Sequence, residues 1–188
     1  MAHFGNSTEY GLHCLLWLVA PHEHPPSSRD LAELTGVSPS FVAKIFPRLE
    51  KAGLVTASEG VRGGYRLARA ADRISVLDVV DAIEGKKPLF DCQDVRRRCA
   101  LFDGSPPAWS GRGMCGIHAV MVRAEQRMRE ELARTTLADL ARGAVGNAPS
   151  GFAGKLQGWM AQRINVRTEG RASREQPPPR NRGRRKQT

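Results

Sequence analysis

The stretch "VSPSFVAKIFPRLEKAGLV", residues 37–55, followed closely by "GVRGGYRL", residues 60–67, decides the fold. Ser38 can cap a helix in which Pro39 takes the first helical position, and Gly53 can end that helix. Apolar side chains recur on one face of it: Phe41, Ile45 and Leu49. The first stretch therefore predicts an amphipathic helix that leads into a short extended segment.

Two shorter helices are predicted before this one, in residues 8–20 and 29–36. The first carries aromatic and apolar residues on a single face: Tyr10, Cys14, Trp17 and Leu18. Hydroxyl residues can cap both helices: Ser7 or Thr8 for the first, and Ser27 or Ser28 for the second. Helix breakers can end them: Pro21 and Gly36. Inside the third helix Pro47 removes a backbone hydrogen bond, so we expect a kink just before it.

A β-hairpin is predicted after the third helix. Residues 54–57 and 65–67 have the composition of two short strands around a glycine-rich tip. We expect Gly63 and Gly64 to supply the positive φ angles that a tight turn needs. Three helices and then a hairpin are typical of a winged helix-turn-helix, although a helical domain with an incidental hairpin would give the same pattern. The predicted fold class is mainly α with a small β-hairpin wing, followed by a long helix.

A DNA-contacting face is predicted at the start of the third helix and on the wing. Hydroxyl, ammonium and guanidinium groups there can reach phosphates or base edges. The candidate DNA-binding residues are Ser28, Ser38, Ser40, Phe41, Lys44, Arg48, Arg62 and Tyr65. Arg62 belongs to the wing tip, from which it can enter a minor groove or touch a phosphate. The predicted partner is double-stranded DNA.

These residues, together with "SVLDVVDAIEG" at 75–85, a cysteine-bearing loop and a long helix, resemble the IscR/NsrR/RirA-type winged-helix regulators of the Rrf2 group. The resemblance covers residues 6–142. It implies a homodimeric transcription factor, often a repressor, that binds an operator and uses its long helix as the dimer interface. That helix carries an apolar stripe that can pack against a second copy or against its own domain: Ile117, Val120, Met121, Ala124, Met128 and Leu132.

Residues 90–118 hold three cysteines and a histidine with the spacing C-x6-C-x15-C-x2-H: Cys92, Cys99, Cys115 and His118. Thiolates and imidazole are soft ligands for transition metals. Structural zinc sites favour close C-x2–4-C pairs, and this stretch has none, so the spacing argues against a structural zinc site. The fourth cysteine, Cys14, falls on the apolar face of the first helix and is predicted to be a buried thiol.

The resemblance implies an iron–sulfur cluster on this loop. RsrR-type redox sensors in the group hold a 2Fe-2S cluster through two cysteines plus a glutamate and a histidine of the first helix. "STEYGLHCLLWL" supplies Glu9 and His13 at i and i+4, one above the other on a helix. The resemblance therefore implies that Cys92 and Cys115 bind one iron, while Glu9 and His13 of the other subunit bind the second.

Other readings of the same residues stay open. In a three-cysteine scheme Cys92, Cys99 and Cys115 are all ligands, and Glu9 or His118 completes the set. Without the resemblance, Glu9 and His13 form an ordinary solvated helix pair, and His118 simply belongs to the turn before the long helix. A regulator without metal, in which the loop thiols oxidise directly, is the alternative function.

Charge and composition complete the predictions. Residues 163–188 hold nine Lys and Arg against two Glu, so most of the net charge of +10 lies there. The predicted organisation is a winged domain at 1–87, a cluster-binding loop at 88–116, a dimerisation helix and a short helix at 117–142, and a basic disordered tail at 143–188. No basic leader precedes the apolar "CLLWLVA" and no apolar run could span a bilayer, so we expect a cytoplasmic protein without membrane contact. We expect no enzyme and no small-molecule substrate, since no catalytic set or phosphate loop is recognisable.

Overall fold

The computed structural model describes residues 4–22, 24–60 and 63–175. In these ranges the chain forms seven α-helices and one two-stranded sheet, which confirms the predicted fold class. The helices and strands are α1 Asn6–Leu16, α2 Ser28–Thr35, α3 Pro39–Lys51, β1 Val55–Ser58, β2 Gly64–Leu67, α4 Val76–Glu84, α5 Gly116–Arg134, α6 Leu137–Gly146 and α7 Phe152–Glu175. None of the helices in these ranges combines the length and apolar character that crossing a bilayer requires.

The helix-turn-helix follows from local capping signals. Ser27 accepts a hydrogen bond from the backbone N–H of Asp30, whose carboxylate accepts one from the N–H of Ser27, so α2 begins with a capping box. Gly36 then takes a left-handed φ of 68° and ends the helix. Ser38 and Pro39 start α3 as predicted, and α3 remains one helix through the exposed Pro47.

The core lies where α1, α3 and α4 meet. It is built from side chains that are all less than a tenth exposed: Leu15, Leu31, Val42, Ile45, Phe46, Leu49, Leu54, Ile74, Val79, Ile83 and Leu137. Gly11 lets α1 approach α4 closely, because a Cβ there would lie 2.4 Å from Cδ1 of Ile83. Burial of these apolar side chains is the main stabilising contribution to the winged domain.

Helix α1 begins earlier than predicted. Gly5 is its N-cap residue, not Ser7 or Thr8, and the helix ends at Leu16, well before Pro21. The start is held from a distance by Glu84, whose carboxylate accepts hydrogen bonds from the N–H of Gly5 (3.0 Å) and the hydroxyl of Thr8 (2.7 Å). The Thr8 hydroxyl, and to a smaller extent the N–H of Gly5, lower the pKa of Glu84.

The wing is antiparallel, with Val55 opposite Leu67 and Ser58 opposite Gly64. The expected role of its glycines is corrected: neither Gly63 nor Gly64 has a positive φ, whereas Gly60 has a φ of 95°. Close backbone approach explains both glycines instead. A Cβ on Gly63 would lie 2.2 Å from the carbonyl oxygen of Ser58, and a Cβ on Gly64 would lie 2.4 Å from the carbonyl oxygens of Pro25 and Pro26.

Backbone and side-chain bonds attach the long helix to the winged domain. Ser75 and Thr136 form an isolated β-bridge that joins the start of α6 to the start of α4. Arg129 of α5 donates to both carboxylate oxygens of Asp81 on α4, at 2.9 and 2.8 Å. Such bidentate, charge-assisted pairs fix orientation as well as distance. Helix α5 is therefore fastened along α4.

The region after residue 143 differs from the predicted disordered tail. Helix α6 continues to Gly146, and α7 runs from Phe152 to Glu175. Helix α7 packs on the winged domain, because the Phe152 ring lies 6.2 Å from the Trp17 ring and Met160 is only 6% exposed. Arg163 forms an ion pair with Glu33 of α2. The basic composition concealed this apolar spacing, and residues 176–188 lie outside the described residues.

Candidate DNA-binding face and cysteine loop

The exposed start of α3 carries the polar groups predicted to reach DNA. Ser38, Ser40 and Lys44 are all exposed, and the hydroxyl oxygens of Ser38 and Ser40 lie 2.8 Å apart. The serines leave the helix start small and polar, and the Lys44 ammonium adds one positive charge to the same helix. Such a surface can enter a major groove and donate to phosphates or base edges.

Three of the predicted DNA contacts also hold the domain together. The Phe41 ring is 38% exposed and meets the Tyr10 ring edge-on at 5.2 Å. Arg48 donates to the carbonyl oxygen of Ile83 at 2.9 Å, so its guanidinium links α3 to the end of α4. Tyr65 is half-buried, with its ring 4.4 Å from the ring of Phe46.

The environment of Tyr65 supports a packing role. Burial, and secondly the carboxylate of Glu50, raise the pKa of its phenol. Its N–H donates to the carbonyl of Pro26 at 2.9 Å, which joins β2 to the segment before α2. Ser28 is half-buried as the first residue of α2. Arg62, predicted for the wing tip, lies outside the described residues.

Glu9 and His13 lie on the exposed side of α1. The opposite side of the helix is buried, through Thr8, Gly11, Cys14 and Leu15. Cys14 lies 3.9 Å from the hydroxyl of Thr35, and burial raises the pKa of its thiol to about 11, so the prediction of a buried thiol is confirmed. The carboxylate and the imidazole are thus directed away from the core of their own domain, where a second molecule can reach them.

The cysteines of the loop differ in their surroundings. Cys99 is exposed between two short 3-10 turns, while Cys92 and Cys115 are half-buried. Cys115 is the N-cap residue of α5, a helix of 19 residues. The backbone N–H groups of His118 and Ile117, in the first turn of α5, lower the pKa of its thiol. A helix N-terminus favours the thiolate, which is the form that binds metal or attacks an oxidant.

His118 belongs to the first turn of α5 and is half-buried. Its ring lies 6.1 Å from the ring of Phe90, at an angle of 57°. Its backbone N–H is the first of the groups that stabilise the Cys115 thiolate. This arrangement gives His118 a structural contribution through its backbone and through the tilted contact of its ring with Phe90.

Arg96 joins the two sides of the loop. Its guanidinium donates to the carbonyls of Gly113 at 2.7 Å and Arg112 at 3.3 Å, and lies 3.5 Å from that of Gly111. Its Nε donates to the carboxylate of Asp94 at 2.8 Å. The sequence did not single out Arg96 or Asp94, because one arginine in the run Arg96, Arg97 and Arg98 gives no signal of its own.

One chain does not assemble any of the predicted ligand sets by itself. Within the described residues, no three His, Cys, Asp or Glu side chains converge as a metal site. Neither the three-cysteine set nor the Glu9, His13 and two-cysteine set is therefore preformed in a single chain. The apolar stripe of α5 is also uncovered at its start, with Ile117 65% and Val120 53% exposed.

A helix-turn-helix with an attached wing and an exposed polar edge on its second helix defines a winged-helix DNA-binding regulator. The family described as "Rrf2: Iron-dependent Transcriptional regulator" matches residues 4–143, and the chain belongs to this family. It is thus a transcriptional regulator that binds DNA, and not an enzyme.

Individual relatives agree with this assignment. "Protein rrf2" of Nitratidesulfovibrio vulgaris is 34% identical over 139 residues, which span 73% of this chain and 85% of that protein. The "HTH-type transcriptional regulator IscR" of Erwinia tasmaniensis is 33% identical over 119 residues, 63% of this chain and 66% of that protein.

Solved structures show the same fold. The IscR of T. potens has a TM-score of 0.59 at 25% identity and covers 81% of this chain and 96% of its own. CymR, "the Global Cysteine Regulator of B. subtilis", has a TM-score of 0.59 at 24% identity and covers 76% of this chain and 98% of its own. The likeness to CymR concerns the fold alone.

Proposed function

We propose that this protein is a homodimeric repressor whose affinity for its operator depends on a 2Fe-2S cluster. Cys92 and Cys115 of one subunit and Glu9 and His13 of the other hold the cluster. The observation that carries the proposal is the division of the donor groups: two half-buried thiols belong to the loop, and an exposed carboxylate and imidazole share one face of α1.

The donor set fits such a group chemically. Thiolates are the ligands that iron–sulfur clusters require, and imidazole can replace a thiolate on one iron. The N–H groups that lower the pKa of Cys115 favour the ligating form of that thiol. Because no three such donors converge among the residues that the structure describes, the proposal places Glu9 and His13 on a second copy of the chain. The uncovered start of the α5 stripe, around Ile117 and Val120, provides apolar surface for that copy.

Helix α1 gives the site a route to the DNA-binding face. Tyr10 follows Glu9 directly, and its ring packs edge-on against Phe41 of α3 at 5.2 Å. A Cβ on Gly11 would lie 3.5 Å from the Ile45 side chain of α3, so the two helices are in close contact. If a change at the cluster alters how Glu9 and His13 are held, α1 shifts. Because α1 packs closely against α3, that shift also moves α3. Two copies of α3 must fit successive major grooves of an operator, so a change in their spacing alters affinity.

The cluster, when bound, supplies a one-electron change. The imidazole of His13 can carry a proton on the ring nitrogen that does not bind iron, which couples proton binding to that change. Glu9 contributes a carboxylate one helical turn away on the same face. Cys99 is an exposed thiol of the same loop and is not a ligand in this scheme.

The first experiment is a measurement of iron, acid-labile sulfide and visible absorption in protein purified without oxygen. We expect absorption bands at roughly 300 to 500 nm in the wild type and in Cys99→Ala, and their loss or shift in His13→Ala. The reverse pattern would assign the site to the three cysteines. Wild-type protein that contains no iron would refute the cluster.

Complementation tests whether two subunits share the site. One subunit carries Glu9→Ala and His13→Ala, and its differently tagged partner carries Cys92→Ser and Cys115→Ser. In the purified heterodimer, the intact loop of the first subunit faces the intact α1 of the second. We expect about half of the wild-type iron, from one complete site of two, while each homodimer binds none. A heterodimer without iron would refute the shared site.

A thiol switch without metal is the second candidate, and the loop thiols favour it. Cys99 is exposed to an oxidant in solution, and the lowered pKa of Cys115 favours the thiolate, which is the form that oxidants attack. In this case the anaerobic protein contains no iron. Its operator affinity changes after mild oxidation, and Cys115→Ser abolishes that change.

A further inference from the structure

We propose that Arg96 is a positioning residue that clamps the two sides of the cysteine loop together before any ligand binds. The inference rests on the proposed function, since the clamp has a purpose only if Cys92 and Cys115 act together. The proposed role of Arg96 is the same in both ligand schemes, because each of them includes Cys92 and Cys115.

The contacts of Arg96 join segments that are far apart in sequence. Arg96 lies four residues after Cys92, and the carbonyls of Arg112 and Gly113 lie just before Cys115. The shortest of these hydrogen bonds, to Gly113, is 2.7 Å long. The side chain of Arg96 therefore joins the two ends of the loop, one of which carries Cys92 and the other Cys115.

The geometry requires a guanidinium. The two terminal nitrogens of Arg96 donate to the successive carbonyls of Arg112 and Gly113, and its Nε donates to the carboxylate of Asp94. A lysine ammonium has three donors at one point and cannot reproduce this fan. The Arg96 side chain is about a third exposed, so water competes only in part for its donors.

The carboxylate of Asp94 orients the guanidinium of Arg96. The Asp94 backbone has a φ of 47°, in the left-handed region that aspartate and asparagine adopt more readily than other residues with a side chain. That conformation brings its carboxylate to 2.8 Å from Nε of Arg96. Gly113, whose carbonyl accepts the shortest of these hydrogen bonds, also has a left-handed φ, of 63°. The backbone on both sides of the loop is thus shaped around the guanidinium.

The expected consequence is preorganisation. Closing a flexible loop costs conformational entropy that a ligand would otherwise have to offset when it binds to both cysteines. Because Arg96 already joins the segment after Cys92 to the segment before Cys115, part of that entropy is lost before a ligand binds. Loss of the clamp should therefore slow the loading of the loop while the winged domain stays folded.

The test is hydrogen exchange of the metal-free protein, followed by iron and sulfide incorporation. Arg96→Gln removes the clamp, Arg96→Lys keeps its charge but loses the fork, and Asp94→Asn keeps a residue that tolerates the left-handed backbone. Arg98→Gln is the matched control, because Arg98 is an exposed arginine of the same 3-10 turn. Exchange in α3 and α4 reports whether the winged domain is intact.

We expect amides of residues 109–115 to exchange about tenfold faster in Arg96→Gln and Arg96→Lys, less so in Asp94→Asn, and at the wild-type rate in Arg98→Gln. Iron incorporation should slow in the same order. Unchanged exchange in Arg96→Gln would overturn the clamp. Faster exchange with unchanged incorporation would overturn its positioning role. Wild-type protein that takes up no iron would refute the proposed function. The exchange rates would still show whether Arg96 holds the two sides of the loop together.

Discussion

Cys115 lies at the start of α5, a position that favours its thiolate, the form that binds metal or reacts with an oxidant. The N–H groups of His118 and Ile117 stabilise its thiolate, so its pKa lies below the ordinary value. Because only the thiolate is alkylated, the reaction rate rises as the pH rises through that pKa. In metal-free protein we expect Cys115 to reach half of its maximal iodoacetamide rate at lower pH than the same cysteine in unfolded protein. Equal midpoints would contradict this.

Cys14 provides the internal reference for that measurement. Burial raises its pKa to about 11, and the side chain is 1% exposed. It should therefore remain unmodified in the folded protein at every pH at which Cys115 reacts. Mass spectrometry of peptides separates the two sites. Modification of Cys14 before unfolding would show that α1 opens from the core on the timescale of the reaction.

Lys44 and Arg48 lie one helical turn apart on α3, yet the structure assigns them different energetic roles. Lys44 is exposed, whereas Arg48 donates to the carbonyl of Ile83. Lys44→Ala should weaken operator binding and reduce the slope of log K against log salt by about 1, with a stability change within about 0.5 kcal/mol. Arg48→Ala should also lower the free energy of unfolding by about 1 kcal/mol. Titrations at several salt concentrations and urea unfolding separate the two; equal stability of both variants would contradict the role of Arg48.

At the scale of elements, the wing depends on a glycine for space and not for conformational freedom. A Cβ at Gly64 would meet two backbone carbonyl oxygens at 2.4 Å, and backbone cannot yield as a side-chain end can. Gly64→Ala should therefore lower the free energy of unfolding by about 1 to 3 kcal/mol. Gly143→Ala is the matched control, since a Cβ in that helical position meets nothing within 4 Å. It should stabilise by about 0.5 to 1 kcal/mol. Chemical denaturation measures both, and the same sign for both variants would contradict the close approach at the wing.

The elements that the sequence predicts well are those whose signals are local. Ser27 and Gly36 determine the ends of α2 through bonds to their own neighbours, and Ser38 and Pro39 occupy the N-cap and first positions of α3, where no side-chain capping bond forms. The start of α1 could not be read in this way, because its stabilising carboxylate, Glu84, comes from α4. The exposed positions of Glu9 and His13 agree with the predicted helix face. The clamp at Arg96 needs carbonyls more than a dozen residues away, which no spacing rule reveals.

At the scale of the whole molecule, the match to the Rrf2 family covers residues 4–143, and α7 lies after this range. Its charge led to the prediction of a disordered tail, but composition averages over a helix and hides which residues share a face. The Phe152 ring packs near the Trp17 ring, and Arg163 pairs with Glu33. Met160 of the same helix is 6% exposed. Helix α7 thus contacts the end of α1 at Trp17 and α2 at Glu33, and both of these helices pack against α3.

This packing makes the stability of the DNA-binding domain depend on a helix far along the chain. Met160 is 6% exposed, so Met160→Ala removes buried apolar contacts and should lower the free energy of unfolding by about 2 kcal/mol. Val166→Ala is the control on the same helix, where a side chain that is 55% exposed should change stability by no more than about 0.5 kcal/mol. Guanidinium unfolding, followed by fluorescence of Trp17 and the other tryptophans, compares them. If both variants unfold at the wild-type midpoint, α7 does not contribute to the core. If only Met160→Ala unfolds earlier, the C-terminal helix is an integral part of the winged domain.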